Sequence, residues 1–231
     1  MTLDDEPIAA VELDVHHGGR IHLVNSGAGR LAFTYRAVVV PMVAPDRPAA
    51  AAEALVALRQ SRYSPSDVLE GFAAGEFAAL GPDAPDRARA VGEWVFERLR
   101  YELGSTGPFE SAVDTLLRGE GVCRDFAHLT VGLCRAIGLP ARLASVYAPG
   151  LSPMDFHAVA EVLVEGRWQV IDATRLAPRQ SLLRIATGRD AADTAFCSTL
   201  SGSAELLATA VGAATDADLP SDDHVAPVHL A

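Results

Sequence analysis

The chain has 231 residues, 49% hydrophobic and 21% charged, which is the composition of a folded globular protein large enough to bury a core without staples. Its net charge of −11 excludes the basic footprint of a nucleic-acid binder, and all 19 basic residues are arginine. Three cysteines (Cys123, Cys134, Cys197) are too few for a disulfide framework and lack the C-x-x-C spacing of a structural zinc site.

The opening MTLDDEP is acidic with no apolar run, and no stretch of 18 apolar residues follows. The reading is therefore a cytoplasmic chain with no leader and no membrane partner. Residues 8–15, 20–24 and 31–40 are rich in β-branched and aromatic residues and are separated by HHGG (16–19) and NSGAG (25–29). This predicts a three-stranded meander within a β-rich region at 1–48. A Pro/Ala connector at 44–52 leads into a core over 49–205, which opens with a helix ending near Leu58.

Ser64-Pro65-Ser66-Asp67 is a helix start, predicting a short helix over 66–74. After the GPDAP break, Ala88, Val91, Val95 and Leu99 mark an amphipathic helix over 85–100. Ser111 to Leu117 is a shorter helix closed by Gly119. Phe126, Leu129, Leu133 and Ile137 carry a helix that Gly138-Leu139-Pro140 stops. Strands are expected at 141–148, 156–164 and 167–174, the last two turning on Glu165-Gly166. Another helix is expected within 186–196, and 204–211 reads as either helix or strand. Residues 206–231 form an acidic tail, weakly patterned from 215 onward and expected to be mobile.

Chemistry concentrates at three positions. Cys123 stands two residues after a glycine, in the first turn of its helix. Free N–H groups and the helix dipole there favour a thiolate, and they suit the oxyanion of a tetrahedral intermediate. Alone, a cysteine is more often a small buried hydrophobe, and a strand histidine such as His157 is more often a core residue. Hairpin arithmetic joins His157 to Asp172. With the two-residue turn, Val164 faces Arg167 and Val159 faces Asp172, so His157 lies on the same face as Asp172, one diagonal step away. The opposite face (Ala158, Ala160, Val162, Val164, Gln169, Ile171, Ala173) is almost wholly apolar and suits the Cys123 helix. A three-residue turn would separate His157 from Asp172.

Other candidates read more plainly. Glu161 is a structural ion-pair member facing Arg167 or Arg175. Asp125 caps its helix, His128 is poorly aimed to act as a base, and Cys134 is core. Cys197 carries no assignment. His16 and His17, adjacent on a strand, point to opposite faces and do not share an ion with His22. Trp94 and Trp168 are packing residues, and Arg124 is left to a substrate carboxylate or an internal acid.

GVCRDFAHLTVGLCRAIGLPAR (121–142) resembles the nucleophile segment of the bacterial transglutaminase-like family, the cysteine branch of the papain-like architecture. PMDFHAVAEVLVEGRWQVIDAT (153–174) resembles its His and Asp strands. SRYSPSDVL (61–69) and GRDAADTAF (188–196) resemble flanking segments, so the likeness covers roughly 61–200. The resemblance implies an α+β fold, with a nucleophile helix on an antiparallel sheet beside a short N-terminal β layer. It implies Cys123 as nucleophile, His157 as general base and acid, and Asp172 as orienting carboxylate. The implied reaction is acyl transfer or amide hydrolysis through a thioester. Its partners would be a peptide, amide or thioester donor and a water or amine acceptor, with no metal or cofactor. The alternative is a binding or scaffold module that keeps the fold without turnover. Where the family carries an aromatic two residues after the His, this chain has Val159, which is expected to reshape the acyl pocket.

Overall fold

The computed structural model describes residues 1–15, 19–40 and 49–230. The chain divides into two compact units, Met1–Val43 and Ala44–Ala231. In the first, β1 (Thr2–Leu3) lies between β2 (Glu6–Pro7) and β5 (Leu31–Ala32), while β3 (Val11–Asp14) pairs antiparallel with β4 (Arg20–Leu23). The strand expected over 31–40 is reduced to β5. Val38, Val39 and Val40 beyond it are exposed, and β-branched residues form strands where they have a surface to cover. His16, His17 and most of the turn between β3 and β4 lie outside the described residues, as do residues 44–48 of the connector.

The second unit starts with α1 (Ala51–Val56), α2 (Ser66–Glu76) and α3 (Ala84–Arg98). α4 (Ala112–Arg118) follows, capped as its sequence requires. Asp114 N–H donates to Ser111 Oγ, Ser111 N–H donates to Asp114 Oδ2, and Gly119 closes the helix at φ 75°. Two strands too short for any periodicity, β6 (Arg100–Tyr101) and β7 (Glu120–Gly121), pair in parallel just ahead of α5 (Cys123–Ala136). The sheet consists of β8 (Ala141–Tyr147), β9 (Phe156–Val164), β10 (Arg167–Ile171) and β11 (Leu183–Gly188), antiparallel in the order β10-β9-β8-β11. α6 (Ala191–Thr194) closes the series.

The helix expected within 186–196 is therefore split between β11 and α6. β11 pairs with β8 across a bulge between Arg184 and Ala186, and that non-local pairing outweighs local pattern. Residues 204–211 are neither helix nor strand.

The two faces of the sheet bury different things. On one, Leu129 and Leu133 of α5 pack on Ala160, Val162 and Val164. On the other, Val159, Val170, Ala144 and Leu182 form a second core with Leu230 from the end of the chain. Fully burying a side chain of this size contributes about 1.5–3 kcal/mol. The tail, expected to be mobile, contains no helix or strand among its described residues, and residues near its end are tied to the sheet. Val170 N–H donates to Val228 O at 2.8 Å, and the buried Arg179 guanidinium donates to both Asp222 oxygens at 2.7 and 2.9 Å. Among the described residues no helix is long and apolar enough to cross a membrane.

Candidate active site

α5 begins at Cys123, and its first turn is built from its own sequence. Asp125, fully buried, folds back so that Val122 N–H donates to its Oδ2 at 2.9 Å. A Cβ on residue 121 would come within 2.7 Å of Asp125 Cβ, which explains Gly121. Arg124 donates to Asp125 Oδ1 at 2.9 Å and to Gly107 O at 2.7 Å. The question left open for Arg124 is thus answered by an internal acid. Cys123 itself is half-buried and packs against Ala127, Leu143 and Ala158.

The β9–β10 hairpin has the expected register. Arg167 is opposite Val164 and Ile171 opposite Ala160, around a turn with Glu165 at φ 50° and Gly166 at φ 79°. β10 pairing stops at Ile171, so the first residues of β9 are flanked there by Asp172 and Thr174. His157 Nε2–H donates to Asp172 Oδ2 at 2.9 Å, with both side chains buried. The other carboxylate oxygen accepts from Thr174 N–H at 2.9 Å and Thr174 Oγ1–H at 2.7 Å. Among the described residues no group completes a hydrogen bond to His157 Nδ1, yet the Cys123 side chain lies close enough to interact with the ring.

Burial opposes a charge on His157, but the Asp172 carboxylate and, when charged, the Cys123 sulfur together outweigh it and push its pKa up to about 10. Burial likewise opposes ionisation of Asp172, and the His157 charge with the Thr174 donors holds it below the usual carboxylate range.

Sequence reasoning missed two residues of this site. Thr174 fixes Asp172, and its signal was present in the Asp-x-Thr spacing, which closes a side-chain turn onto the following backbone. Tyr101, on β6 opposite Gly121, places its ring 5.9 Å from that of Phe126. Burial, with the Cys123 charge adding to it, pushes its phenol up to about 12. No local pattern could identify it, because a two-residue strand has no period.

The remaining candidates fall away from the sulfur. Glu161 is buried between Arg142 and Arg184, not with Arg167 or Arg175 as expected. Arg142 reaches it from the neighbouring strand β8 and Arg184 from β11, one strand further on, an arrangement that exists only in the folded sheet. Val159 is buried in the second core with Val146 and Val170. Cys134 is fully buried, which pushes its thiol up to about 12. Trp94 and Trp168 pack and also donate to Glu76 and Glu53. Cys197 is exposed.

His128 accepts Ala191 N–H at 3.1 Å and stacks on Tyr63. Burial lowers its pKa to about 4. A depressed histidine pKa stabilises the fold above its unfolded value near 6.5, and that stability is lost as pH falls through the folded value. Thermal melts of the protein are expected to fall between pH 6.5 and 4, and more gently in His128→Asn. Identical slopes would remove His128 as the cause.

Comparison with known proteins bears on the family and the fold. Residues 72–173 match the profile of the transglutaminase-like superfamily. The crystal structure of a candidate cysteine protease from Cytophaga hutchinsonii superposes with a TM-score of 0.70 at 35% identity, over 82% of this chain and 69% of that one. An uncharacterised protein of Mycobacterium leprae is 31% identical over 150 residues, 60% of this chain and 52% of its own length. The chain thus spans about half the length of that curated relative.

Proposed function

The chain belongs to the transglutaminase-like superfamily, and from that premise we propose that it is an enzyme of cysteine-dependent acyl transfer or amide hydrolysis, working through a thioester at Cys123. The observation that carries this reading is the buried His157–Asp172 hydrogen bond, with Nδ1 of the ring left without a partner among the described residues, beside the thiol.

His157 takes the Cys123 proton, and Sγ attacks the donor carbonyl carbon. The carbonyl oxygen becomes an oxyanion, for which the Cys123 backbone N–H and the Tyr101 hydroxyl supply the donors. The C–N bond breaks as Nδ1–H protonates the leaving amine, leaving the thioester. His157 then deprotonates the acceptor, which attacks the thioester and releases the sulfur. Water as acceptor makes the enzyme an amidase or peptidase, and an amine makes it an amide-forming acyltransferase. The chain contains no lysine of its own to serve as acceptor.

Alkylation with iodoacetamide at pH 6, mapped by mass spectrometry, tests the reading. Cys123 is expected to label well ahead of Cys134 and Cys197, and to lose that advantage in His157→Ala. Cys123→Ala is expected to abolish turnover with a melting temperature within about 2 °C of the parent, no more than the shift that about 1 kcal/mol produces in a chain this long. Slow and equal labelling of all three cysteines would favour a binding module without turnover.

A further inference from the structure

The sheet face that meets Cys123 continues beyond it. Side chains alternate along a strand, so Ala160, Ala158 and Phe156 of β9 share one face, as do Leu143 and Tyr147 of β8. Cys123 packs on that face against Ala158 and Leu143. The next pair toward the start of β9 is Phe156 opposite Tyr147, with ring centroids 5.8 Å apart. Phe196, just after α6, stacks on Phe156 at 5.6 Å and 27° and is half exposed. Three aromatic rings therefore line up one strand step past the residue that touches the thiol, a step of about 7 Å. That distance matches the length of a phenylalanyl side chain measured from its own carbonyl. The core of the fold gains little from leaving Phe196 half in water, whereas a ligand ring laid on the row would bury it.

We infer that the Phe156–Tyr147–Phe196 row is the acyl-donor subsite, and that it selects a donor whose carbonyl-bearing residue has an aromatic or large aliphatic side chain. This rests on the reading of Cys123 as nucleophile. The donor's carbonyl meets Sγ over Ala158, and its side chain lies along the strand onto the rings. Asp155, exposed at the head of β9, disfavours an acidic side chain there by like-charge repulsion.

The test compares acetyl-phenylalanyl and acetyl-glycyl chloromethyl ketones, with rates corrected for their reactivity toward a free thiol and adducts mapped to each cysteine. The phenylalanyl reagent is expected to modify Cys123 at least about tenfold faster. The ratio should fall toward one in Phe196→Ser, whose side chain lies outside the core, and in Phe156→Leu. Equal corrected rates in the parent protein, alongside selective iodoacetamide labelling of Cys123, would overturn the subsite and leave the nucleophile standing. A preference that persists in both variants would also overturn it. Loss of selective iodoacetamide labelling would overturn the nucleophile reading and the subsite with it.

Discussion

Asparagine at position 172 is expected to slow acyl transfer about 10³–10⁴-fold, measured as release of p-nitroaniline from an acyl anilide. The reason lies in which groups around Asp172 can only donate. Thr174 N–H occupies Oδ1, and that backbone donor has no second role. An asparagine must therefore turn its oxygen toward Thr174 and its NH₂ toward His157. The ring nitrogen Nε2, which now donates to Asp172, would have to accept instead. The ring proton would move to Nδ1, the side facing Cys123, and the ring could no longer take the thiol's proton. The side-chain shape is unchanged, so the fold should be kept, with stability at neutral pH lowered by the loss of the His157–Asp172 charge pair. A rate within about tenfold of the parent would remove Asp172 from its orienting role. The same arrangement gives a pH signature. His157, raised to about 10 by Asp172 and Cys123 against burial, stabilises the fold fully below its unfolded value near 6.5. That contribution fades as pH rises through the folded value. In Asp172→Asn this alkaline loss should largely vanish.

Replacing Glu161 with alanine is expected to be the most damaging single change to stability. Glu161 is fully buried in the middle of β9, with Arg142 Nε donating to its Oε2 at 2.7 Å and Arg184 to its other oxygen. Arg142 is itself buried, lies 4.0 Å over the Trp168 ring and extends to Glu53 at 2.6 Å. Removing the carboxylate leaves a desolvated guanidinium short of its main counter-charge, a loss of about 3–5 kcal/mol. At this chain length that corresponds to roughly 2–4 °C per kcal/mol, so a drop of roughly 6–20 °C in Tm is expected by calorimetry. Glu161→Gln keeps the packing and should fall between the two. A drop of under about 2 °C for alanine would show that the sheet tolerates the orphaned arginine.

The fold class was readable in the chain, and so was the geometry that joins His157 to Asp172. A two-residue turn with Gly166 and a strict alternation of side chains leave one register, and register decides which residues share a face. The first turn of α5 was legible for the same reason, since Gly121, Cys123 and Asp125 act within four residues of one another. Where partners come from distant segments, reading stopped. Arg142 and Arg184 reach Glu161 from β8 and β11, and β11 became a strand only because β8 offered it an edge. Tyr101 reached Cys123 through a two-residue parallel pairing. The end of the chain, weakly patterned by itself, is held to Arg179 and Val170. Local sequence determined turns, caps, helix faces and strand register, because those depend on spacing within a few residues. Only the tertiary structure decided which buried charge meets which partner and which side chains pack against Cys123, because those contacts join residues that spacing along the chain does not relate.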